Sequence, residues 1–320
     1  MRVLVTGGAG FIGSHLIDRL LTKNHEVFCV DNLLLGKKRN LINALKNERF
    51  KLFVFDILEM EKLDALFLEG EFDVIYHLAA NSDIKLGFEN LKLDYNNTLL
   101  TTYNILRCMK KYGNKKILFA SSSAIYGNNS NNLNESTGPL LPISNYGAAK
   151  LASEAFISSF CASNDLKALI IRFPNVVGYR LTHGVIYDFI EKLKSNSTQL
   201  LILGNGKQQK PYLYIDDLLN AIDLTLNSIN NKVTIYNVAP NSLTTVKFIA
   251  DIVINVMKLN EVELQYTGGD IGWIGDVPTF SYDTTKINHL GWSPNFTSNE
   301  AVIKSIEEEI QYRESHYYSS

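Results

Sequence analysis

The stretch Thr6-Gly7-Gly8-Ala9-Gly10-Phe11-Ile12-Gly13 follows a short apolar run and leads directly into a helical pattern that extends to Leu21. A strand that ends in glycines lets backbone N–H groups approach a pyrophosphate, and the N-terminus of the next helix meets that negative charge with a partial positive charge. Each of the three glycines has a separate role: Gly7 allows a tight turn, Gly10 allows close approach to the phosphates, and Gly13 allows close packing of helix on strand. Turns are glycine-rich for conformational reasons alone, but strand, glycines and helix in this order favour a dinucleotide site.

The next apolar run, Glu26–Val30, ends in an acidic residue. Asp31 lies at about the distance downstream of the glycines where a carboxylate would accept both hydroxyls of an adenosine ribose. It would repel a 2′-phosphate, and the residue that follows is Asn32 rather than an arginine, so the pattern favours NAD over NADP. The basic run at residues 37–39 could hold such a phosphate, but a solvated loop face is the simpler interpretation.

The composition is that of a globular chain that can bury a full core. The chain has 320 residues, of which 46% are hydrophobic, and a net charge of −2 without a block of like charges. This balance argues against nucleic acid and against a membrane surface as partners. No apolar run approaches the roughly 20 residues that are needed to span a bilayer.

Sequence features also predict a cytoplasmic protein without a metal. The first strand starts at Arg2 and its turn is expected to be functional, which leaves no room for a removable signal peptide. The cysteines Cys29, Cys108 and Cys161 lack metal-ligand spacing and are expected to be reduced core thiols. His77 lies at the end of a predicted strand without metal partners, so a structural role is favoured over a metal ligand.

Strand and helix patterns alternate along the first half of the chain. The predicted strands after the second one cover Lys51–Phe55, Asp73–Leu78, Lys115–Ala120 and Ala168–Phe173, and the helices between them cover Glu59–Leu68, Leu91–Tyr112 and Asn145–Ala162. This alternation predicts an α/β fold with a doubly wound parallel Rossmann sheet, whose ligands gather at the carboxyl ends of the strands.

After Gly178 the alternation gives way to shorter, mixed elements. We predict helices near Val185–Ser195, Asp217–Asn227 and Val246–Met257, and strands near Leu200–Leu203 and Tyr212–Ile215. The second half is therefore expected to form a smaller mixed α/β substrate-binding lobe. The predicted division is an NAD-binding Rossmann domain at residues 1–175 and this lobe at residues 176–320, with some segments returning to the first domain.

Tyr146 and Lys150 lie four residues apart at the start of a predicted helix, so their side chains share one face. A tyrosine phenol has a pKa of about 10, but an ammonium group within a few ångströms favours the phenolate and lowers that pKa. Hydride transfer at a carbinol requires such a base, because the hydroxyl proton must leave as the hydride does. For the bare pair, an exposed tyrosine and a surface lysine are the alternative.

A cluster of serines precedes this pair in the chain. The predicted strand Lys115–Ala120 runs into Ser121-Ser122-Ser123-Ala124-Ile125-Tyr126-Gly127, which places hydroxyls at the carboxyl end of a central strand. One of them can hydrogen-bond the substrate oxygen beside the tyrosine. A serine cluster alone is a polar turn, so its significance comes from the order of glycine turn, Asp31, serine cluster and Tyr146-x3-Lys150.

With these motifs in this order, the sequence resembles the extended short-chain dehydrogenase/reductase family and, within it, the nucleotide-sugar 4-epimerases of the UDP-glucose 4-epimerase type. The resemblance covers nearly the whole chain. Beyond the motifs above, it rests on Asp56-Ile57, His77-Leu78-Ala79-Ala80, Tyr146-Gly-Ala-Ala-Lys150, Arg172-Phe-Pro-Asn-Val-Val-Gly178, Gly204-Asn-Gly-Lys-Gln-Gln-Lys210, Tyr214-Ile-Asp-Asp217 and Leu290-Gly-Trp292. Any one of these motifs is modest support, but together and in order they are highly specific.

The resemblance implies a cofactor, a substrate class and the residues that bind them. The cofactor is NAD, and the residues implied for it are Gly7, Gly10, Phe11, Ile12, Gly13, Asp31, Asn32, Asp56, Ile57, Leu78, Ala79, Ala80, Thr98, Tyr146, Lys150 and Pro174. The substrate is a nucleotide-diphosphate sugar, and the residues implied for it are Ser122, Ser123, Asn175, Arg180, Lys210 and Trp273. The catalytic residues are Ser122, Tyr146 and Lys150, since the catalytic serine of the family lies four residues before the tyrosine of the Tyr-Gly pair. The resemblance also implies a homodimer formed through the helices Leu91–Tyr112 and Asn145–Ala162.

The residues after the catalytic hydroxyl separate the reactions within the family. Members that dehydrate or decarboxylate a sugar carry a carboxylate there, whereas this chain has Ser123 and Ala124. Without an acid to protonate a leaving hydroxyl, elimination lacks one of its two proton-transfer groups. The sequence therefore predicts an isomerase of carbohydrate biosynthesis that inverts carbon 4 through a transient keto sugar. The alternatives are a carbon-4 dehydrogenase, a 4,6-dehydratase and a dinucleotide sensor, the last of which would need none of the catalytic residues.

One departure from the family pattern concerns the cofactor. Where many members have an asparagine near the start of the helix after His77, alignment backwards from Asn104 places Thr98, with Asn97 beside it. The residue that fills this role is therefore left open between the two.

The other departure concerns the diphosphate of the substrate. Three residues before Asp276, UDP-hexose epimerases have an arginine, and this chain has Trp273. An aromatic ring can stack on a base or a sugar but cannot donate a bidentate charge-assisted pair. Either Lys210 or Arg180 is then expected to hold the phosphates, or the substrate is oriented differently, and the nucleotide and the sugar stay open.

Overall fold

The computed structural model describes residues 1–129, 132–229, 231–273 and 275–317. The chain divides into two units. The first comprises Met1–Gly127, Glu135–Phe173 and Ala221–Asn237, and the second comprises Asn128–Asn134, Pro174–Asn220 and Val238–Ser320. Each unit is thus assembled from separate stretches of the chain.

The helices and strands have the following bounds. The strands are β1 (Arg2–Thr6), β2 (Glu26–Asp31), β3 (Phe50–Val54), β4 (Val74–His77), β5 (Lys116–Ala120), β6 (Lys167–Arg172), β7 (Asn175–Val177), β8 (Gln199–Ile202), β9 (Gln209–Lys210), β10 (Tyr212–Tyr214), β11 (Val233–Asn237), β12 (Thr244–Thr245) and β13 (Glu263–Tyr266). The helices are α1 (Phe11–Thr22), α2 (Met60–Gly70), α3 (Ile84–Glu89), α4 (Leu91–Asp94), α5 (Thr101–Tyr112), α6 (Asn145–Ser163), α7 (Val185–Ser195), α8 (Ile215–Leu226), α9 (Val246–Val256), α10 (Thr285–Asn288) and α11 (Ser298–Tyr317). Within the described residues, none of these helices has the length and hydropathy to cross a membrane.

Seven strands of the first unit form one parallel sheet with the order β11-β6-β5-β4-β1-β2-β3. From β1 the chain adds β2 and β3 on one side, then returns to β4 on the other side and continues to β5, β6 and β11. The reversal therefore falls between β1 and β4, and doubly wound sheets bind ligands at such a switch point, outside the carboxyl ends of the strands. Thr6 and His77 are neighbours in the register at these ends. The predicted α/β class with a doubly wound parallel sheet is confirmed.

The inner strands are buried on both faces, as is usual for a parallel sheet covered by helices. All residues of β4 are buried, and in β1 and β5 all but the first residue are buried. One core cluster joins Leu4, Phe28, Ile75 and Phe119 of these strands to apolar residues of the flanking helices. Fully burying one such side chain contributes about 1.5–3 kcal/mol, so this core fixes the positions of the strand ends and of the residues that follow them.

The second unit is built on three short two-stranded sheets. β7 pairs with β10 and β8 pairs with β13 in parallel, whereas β9 pairs with β12 antiparallel. Its buried apolar residues include Ile190 of α7, Ile249 of α9 and Val302 of α11. Within α8 the chain passes from the second unit into the first.

The helix predicted over Leu91–Tyr112 forms in three consecutive segments. Between α4 and α5 the residues Tyr95–Leu100 form a π-helical turn. Such turns are rare, interrupt the regular hydrogen bonding of an α-helix and occur frequently at functional sites. Thr98, one of the implied cofactor residues, lies in this turn.

Candidate active site

The glycine turn joins β1 to α1 at the switch point of the sheet. Gly7 has a φ of +69°, in the left-handed region that glycine adopts at little cost. Its N–H donates to the carbonyl oxygen of Val30 at 2.8 Å. A Cβ at this position would lie 2.8 Å from the backbone nitrogen of Ala79, so the turn can approach the end of β4 this closely only because residue 7 is glycine.

Close packing at Gly13 leaves the N-terminus of α1 beside this turn. A Cβ on Gly13 would lie 2.7 Å from the Cα of Gly8, so a larger residue would push the helix away from the strand. Gly10 is the N-cap of α1, and within the described residues no side chain caps this end and the first turn contains no acid. The N-terminus therefore offers N–H groups and partial positive charge to an anion, with Phe11 and Ile12 half-buried beside them.

Asp31 ends β2 next to the same turn. Its Oδ2 accepts the N–H of Ala9 at 2.9 Å, and its Oδ1 accepts the N–H of Leu33 at 2.8 Å. Burial raises the pKa of Asp31, and the two backbone hydrogen bonds act against that rise. A Cβ on Gly36 would lie 2.8 Å from Oδ1, so the backbone of the following loop passes close to the carboxylate. A 2′-phosphate would meet this charge and this backbone, whereas ribose hydroxyls can donate to the carboxylate.

Asn32 and Asp56 lie together where β2 and β3 end. The Nδ2 of Asn32 donates to Oδ2 of Asp56 at 3.0 Å. Ile57 is buried, and the side chain of Asn104 donates to its carbonyl oxygen at 3.3 Å. These contacts bring together Asn32 and Asp56, both of which the family resemblance implies for NAD.

The segment Leu78–Ala80 leaves the sheet at the end of β4. The N–H of Leu78 donates to the carbonyl oxygen of Thr6 at 3.2 Å, and the N–H of Ala79 donates to the Thr6 hydroxyl at 3.3 Å. All three residues of the segment are half-buried. The structure therefore places this implied cofactor-lining segment directly beside the glycine turn.

Thr98 connects this segment to the π-helical turn. It is fully buried, and its hydroxyl accepts the N–H of Asn81 at 3.2 Å. The Nδ2 of Asn81 in turn donates to Oδ1 of Asp94 at 2.8 Å. Thr98 thus fixes the backbone that follows Leu78–Ala80.

The start of α6 determines where Tyr146 and Lys150 lie. The Oγ of Ser144 caps the helix by accepting the N–H of Gly147 at 3.1 Å. A Cβ on Gly147 would lie 2.5 Å from a carbonyl oxygen of the 3-10 turn Ser123–Tyr126, which follows β5. The glycine beside Tyr146 therefore lets the helix pack directly against the segment that carries the serine cluster.

Ser122, Tyr146 and Lys150 meet at the carboxyl end of β5. The side chain of Ser122 lies beside the phenol of Tyr146. The Nζ of Lys150 donates to the carbonyl oxygen of Ala120 at 2.6 Å. This Nζ lies 4.7 Å from the ring centroid of Phe119 and 5.8 Å from that of Tyr146. The structure thus brings the predicted catalytic residues into one cluster.

Burial dominates the titration of this cluster. It raises the pKa of Tyr146 to about 12, although the neighbouring Ser122 hydroxyl lowers that pKa. It lowers the pKa of Lys150 to about 7, although the carboxylates of Glu154 and Asp94 raise that pKa. The phenol pKa is therefore not lowered as expected, and the amine is the group that titrates near neutral pH. As a pair, Tyr146 and Lys150 lose a first proton near neutral pH, and the proton that remains can lie on either group.

His77 is the buried last residue of β4. Its Nδ1 lies 2.7 Å from the hydroxyl of Thr6, and its Nε2 lies 3.0 Å from the hydroxyl of Thr102. Burial lowers the pKa of His77 to about 3, so the imidazole is neutral and uses one nitrogen as donor and the other as acceptor. These contacts give His77 a structural role within the sheet.

Several residues implied for the substrate lie in the second unit. Asn175, the exposed first residue of β7, is hydrogen-bonded to the phenol of Tyr212, and the preceding Pro174, which is implied for NAD, is buried. Arg180 is buried, and its guanidinium carbon lies 5.1 Å from the ring centroid of Tyr179. Its φ of +67° is a conformation that costs a side-chain-bearing residue about 1–2 kcal/mol, so the surrounding contacts must hold it.

Lys210 and Trp273 also lie together in the second unit. The Nζ of Lys210 forms an ion pair with Asp276 and lies 4.8 Å from the ring centroid of Trp273. The Oδ2 of Asp276 accepts the N–H of Gly272 at 3.0 Å. The charge of Lys210 is thus compensated by a carboxylate, while Trp273 is 37% exposed and presents an aromatic surface.

Sequence reasoning missed Glu154, which borders the catalytic cluster, and assigned no individual role to its partners Ser121 and Arg172. Arg172 contacts Glu154 through two hydrogen bonds of 2.6 and 3.0 Å, and the Ser121 hydroxyl donates to the same carboxylate at 2.5 Å. The signal that could have found Glu154 is its position four residues after Lys150, which places both on one face of α6.

The fold and this cluster together define a class of protein. The sheet is doubly wound, has a glycine turn at its switch point, and carries Ser122, Tyr146 and Lys150 at the end of β5. These features define the extended short-chain dehydrogenase/reductases. A sequence model of the NAD dependent epimerase/dehydratase family matches residues 3–239. The chain belongs to this family and is an enzyme with NAD as its cofactor.

Known proteins that are similar over nearly the whole chain carry out more than one reaction. A UDP-galactose 4-epimerase of known structure is 35% identical, has a TM-score of 0.85, and the match covers 98% of this chain and 99% of that one. The UDP-glucose 4-epimerase of Thermus thermophilus, solved in complex with NAD, is 31% identical with a TM-score of 0.82 and coverages of 96% and 98%. The dTDP-D-glucose 4,6-dehydratase of Homo sapiens is 28% identical over 315 residues, or 96% of this chain and 89% of its own. The reaction must therefore be inferred from the site.

The residues of the first unit fit NAD. The uncapped N-terminus of α1, within the described residues, suits a pyrophosphate, and the close approaches at Gly7 and Gly13 leave the turn free of side chains. The carboxylate of Asp31 suits a ribose that carries both hydroxyls.

Proposed function

We propose that this enzyme is a nucleotide-sugar epimerase that inverts carbon 4 of a hexose through a transient 4-keto sugar. The observation that supports it best is the cluster in which Ser122 lies beside Tyr146 and Lys150 follows one turn later on α6. When bound, NAD supplies the acceptor and donor of the hydride. The protein's own residues supply the proton chemistry.

Tyr146 and Lys150 exchange the proton of the 4-hydroxyl. Near neutral pH the pair can accept one proton, since burial lowers the pKa of Lys150 to about 7. The pair takes the hydroxyl proton through the phenol oxygen as carbon 4 is oxidised, and returns it to the keto oxygen as carbon 4 is reduced on its other face. Ser122 hydrogen-bonds the same oxygen and holds it beside the phenol. The proton count of the pair is the same before and after, as an isomerisation requires.

Elimination of water would need a further acid, and the neighbouring residues do not favour one. Ser123 and Ala124 stand where a dehydratase carries a carboxylate, and neither side chain is an acid at neutral pH. Asp94 is a carboxyl near the cluster, but its Oδ1 accepts from Asn81, and a Cβ on Gly87 would lie 2.8 Å from its Cγ. Asp94 is therefore packed against the backbone of α3.

We propose that Ser122, Ser123 and four residues of the second unit bind a nucleotide-diphosphate hexose. Those four residues are Asn175, Arg180, Lys210 and Trp273, as the family resemblance implies. Arg180 and Lys210 are the two candidates for the phosphates, and Trp273 is the candidate for stacking on a base or sugar. The names of the similar epimerases favour UDP sugars as the first to test. The assignment of NAD to residues 1–175 and of substrate to residues 176–320 belongs to the same proposal.

We further propose a cytoplasmic homodimer that acts in carbohydrate biosynthesis. Support for the dimer comes from the predicted helices Leu91–Tyr112 and Asn145–Ala162. Tyr103 of α5 makes edge-to-face contacts with Phe156 and Phe160 of α6, at centroid distances of 6.1 and 6.3 Å. Tyr103 and Phe156 are also exposed, so the two helices present an aromatic surface.

A panel of nucleotide sugars tests the proposed reaction. The purified protein is incubated with UDP, GDP, CDP and dTDP hexoses, and the products are separated and weighed by mass spectrometry. We expect one epimer pair to interconvert to the same equilibrium mixture from either side, without an added acceptor, and Tyr146→Phe to leave the sugars unchanged. A product that lacks one water would identify a dehydratase. A ketone formed with stoichiometric NADH would identify a dehydrogenase.

A further inference from the structure

A buried ion pair lies one helical turn beyond Lys150. The side chains of Glu154 and Arg172 are only 6% and 4% exposed. The Nη2 of Arg172 lies 2.6 Å from Oε2 of Glu154, and its Nε lies 3.0 Å from Oε1. Two parallel hydrogen bonds of this kind fix the orientation of both planar groups as well as their distance.

Hydrogen bonds extend from this pair to the segments that carry the serine cluster. The Ser121 hydroxyl donates to Oε1 of Glu154 at 2.5 Å, and Ser121 immediately precedes the catalytic serine. The Nη1 of Arg172 donates to the phenol of Tyr126 at 3.0 Å, which in turn donates to Oδ1 of Asn237 at 2.8 Å. The ends of β5, β6 and β11, the 3-10 turn and α6 are therefore joined through one carboxylate and one guanidinium.

We infer that Glu154 and Arg172 are positioning residues for the proposed reaction. They hold the serine segment and the face of α6 that carries Lys150 in one arrangement, and the Glu154 carboxylate compensates the charge of the lysine. This inference rests on the proposed function for the roles of Ser122 and Lys150.

Stability alone does not explain an ion pair at this place. Burying two charges costs several kcal/mol for each ion, and apolar replacements of such pairs are often neutral or stabilising. Here the guanidinium and the carboxylate satisfy each other and then contact Ser121 and Tyr126, which border the catalytic cluster. Because Arg172 ends a strand of the sheet and Ser121 follows β5, their hydrogen bonds to Glu154 fix the position of α6 relative to β5.

Four titratable groups face the Lys150 amine. Glu154 and Tyr146 lie on its own helix, Asp94 lies on α4, and His77 lies on β4. The two carboxylates favour the ammonium, whereas the imidazole and the phenol are neutral at physiological pH. Neutralising Glu154 should therefore lower the pH at which Lys150 loses its proton.

A titration of Lys150 tests this role without relying on turnover. The protein is labelled with lysine carrying ¹³C at Cε, and the Lys150 signal is assigned with Lys150→Arg. In Glu154→Gln we expect the titration midpoint to fall by about one pH unit. Asp165→Asn, which removes the carboxylate of the exposed Lys115–Asp165 pair in the same unit, is the matched control and should leave the midpoint unchanged. An unchanged midpoint in folded Glu154→Gln would overturn the inference even if the protein proved not to be an epimerase.

Kinetics and a second variant separate positioning from mere support of the fold. On the substrate found by the panel, Glu154→Gln should lower kcat about tenfold or more with little change in KM, and shift the acid limb of the kcat profile to lower pH. The double variant Glu154→Gln, Arg172→Gln removes the uncompensated guanidinium and should regain thermal stability. If the pair acts by position and charge, the double variant keeps the lowered kcat and the shifted limb. Recovery of both together with stability would show a structural role only and contradict the inference.

Discussion

Replacing Lys150 with methionine removes the buried amine and keeps a flexible side chain of similar length. The Nζ donates to Ala120 and lies over the ring of Phe119, so this amine is taken out of water when the protein folds. Burial lowers its pKa from 10.5 to about 7. The unfolded chain therefore holds this proton over a range of pH in which the folded protein has lost it.

The sign and the size of the effect follow from this difference in pKa. Between the two pKa values the unfolded state binds more protons, so this group makes the wild type more stable as the pH rises and less stable as the pH falls through about 7. Since each pKa unit corresponds to about 1.4 kcal/mol, the group accounts for a gain of about 3 kcal/mol between about pH 6 and pH 9. In Lys150→Met this gain is absent, so the variant should have its largest advantage over the wild type at the acid end.

Urea unfolding at several pH values measures this difference. Both tryptophans, Trp273 and Trp292, lie in the second unit, whereas Lys150 lies in the first, so the assay needs a signal from the first unit. Far-ultraviolet circular dichroism should be used instead, with hydrogen exchange of α6 peptides to assign the transition to the first unit. If the free energies of unfolding of the two proteins changed in parallel from pH 6 to pH 9, Lys150 would not be a buried amine with a lowered pKa.

Three further predictions address the catalytic tyrosine, the cofactor and the glycine turn. Tyr146→Phe should retain NAD but lose turnover by about 100-fold or more, because the ring and its packing survive while the transferable proton is gone. Equal activity in variant and wild type would contradict the role of Tyr146 in proton transfer. Cofactor-free protein should bind NAD at least about tenfold more tightly than NADP in calorimetric titration, because Asp31 repels a 2′-phosphate, and tighter binding of NADP would contradict that assignment. Gly7→Ala should destabilise the protein by about 2–4 kcal/mol, since its Cβ would lie 2.8 Å from a backbone nitrogen at a φ of +69°. Gly113→Ala is the matched control, because its φ of +77° is similar and its Cβ would meet nothing within 4 Å, so equal costs for the two would exclude a clash at the turn.

The sheet of the first unit was predictable because its inner strands are buried on both faces. Such strands appear in the sequence as short apolar runs, and the predicted run Asp73–Leu78 contains β4 (Val74–His77). The alternation of these runs with amphipathic helices specifies a parallel sheet by local pattern alone. The glycine turn after β1 was predictable because its residues are contiguous in the chain.

Among the elements that the sequence prediction did not include, β11 and α11 have weak patterns. β11 (Val233–Asn237) is an edge strand with two half-buried residues, and the segment before it, Asp217–Asn227, is predicted as a helix. α11 (Ser298–Tyr317) has a run of acidic residues at positions 307–309 that interrupts the apolar stripe, although Ala301, Val302 and Ile306 are fully buried. In both cases packing within a unit decides the structure more than the local sequence does.

The candidate site shows the same division between local and non-local information. Motif order predicted that Ser122, Tyr146 and Lys150 would lie together, and the structure places them in one cluster. The contacts of Glu154 were not predictable, because its partners Ser121 and Arg172 are 33 and 18 residues away in the chain. The raised pKa of the phenol was missed for a related reason, since burial by the surrounding fold outweighs the nearby amine. The binding roles assigned to individual residues stay predictions.

The most direct test of the proposed reaction is to run it in heavy water with the nucleotide hexose that the panel identifies. A 4-epimerase moves the hydride from carbon 4 and back within one site, so the product should have the mass of the substrate and carry no solvent deuterium on carbon. This is the result we predict, because Ser123 and Ala124 stand where a dehydratase carries a carboxylate. A product lighter by one water with deuterium at carbon 6, or carbon-bound deuterium in an isomerised product, would contradict the carbon-4 cycle and identify a dehydratase or an enolising epimerase.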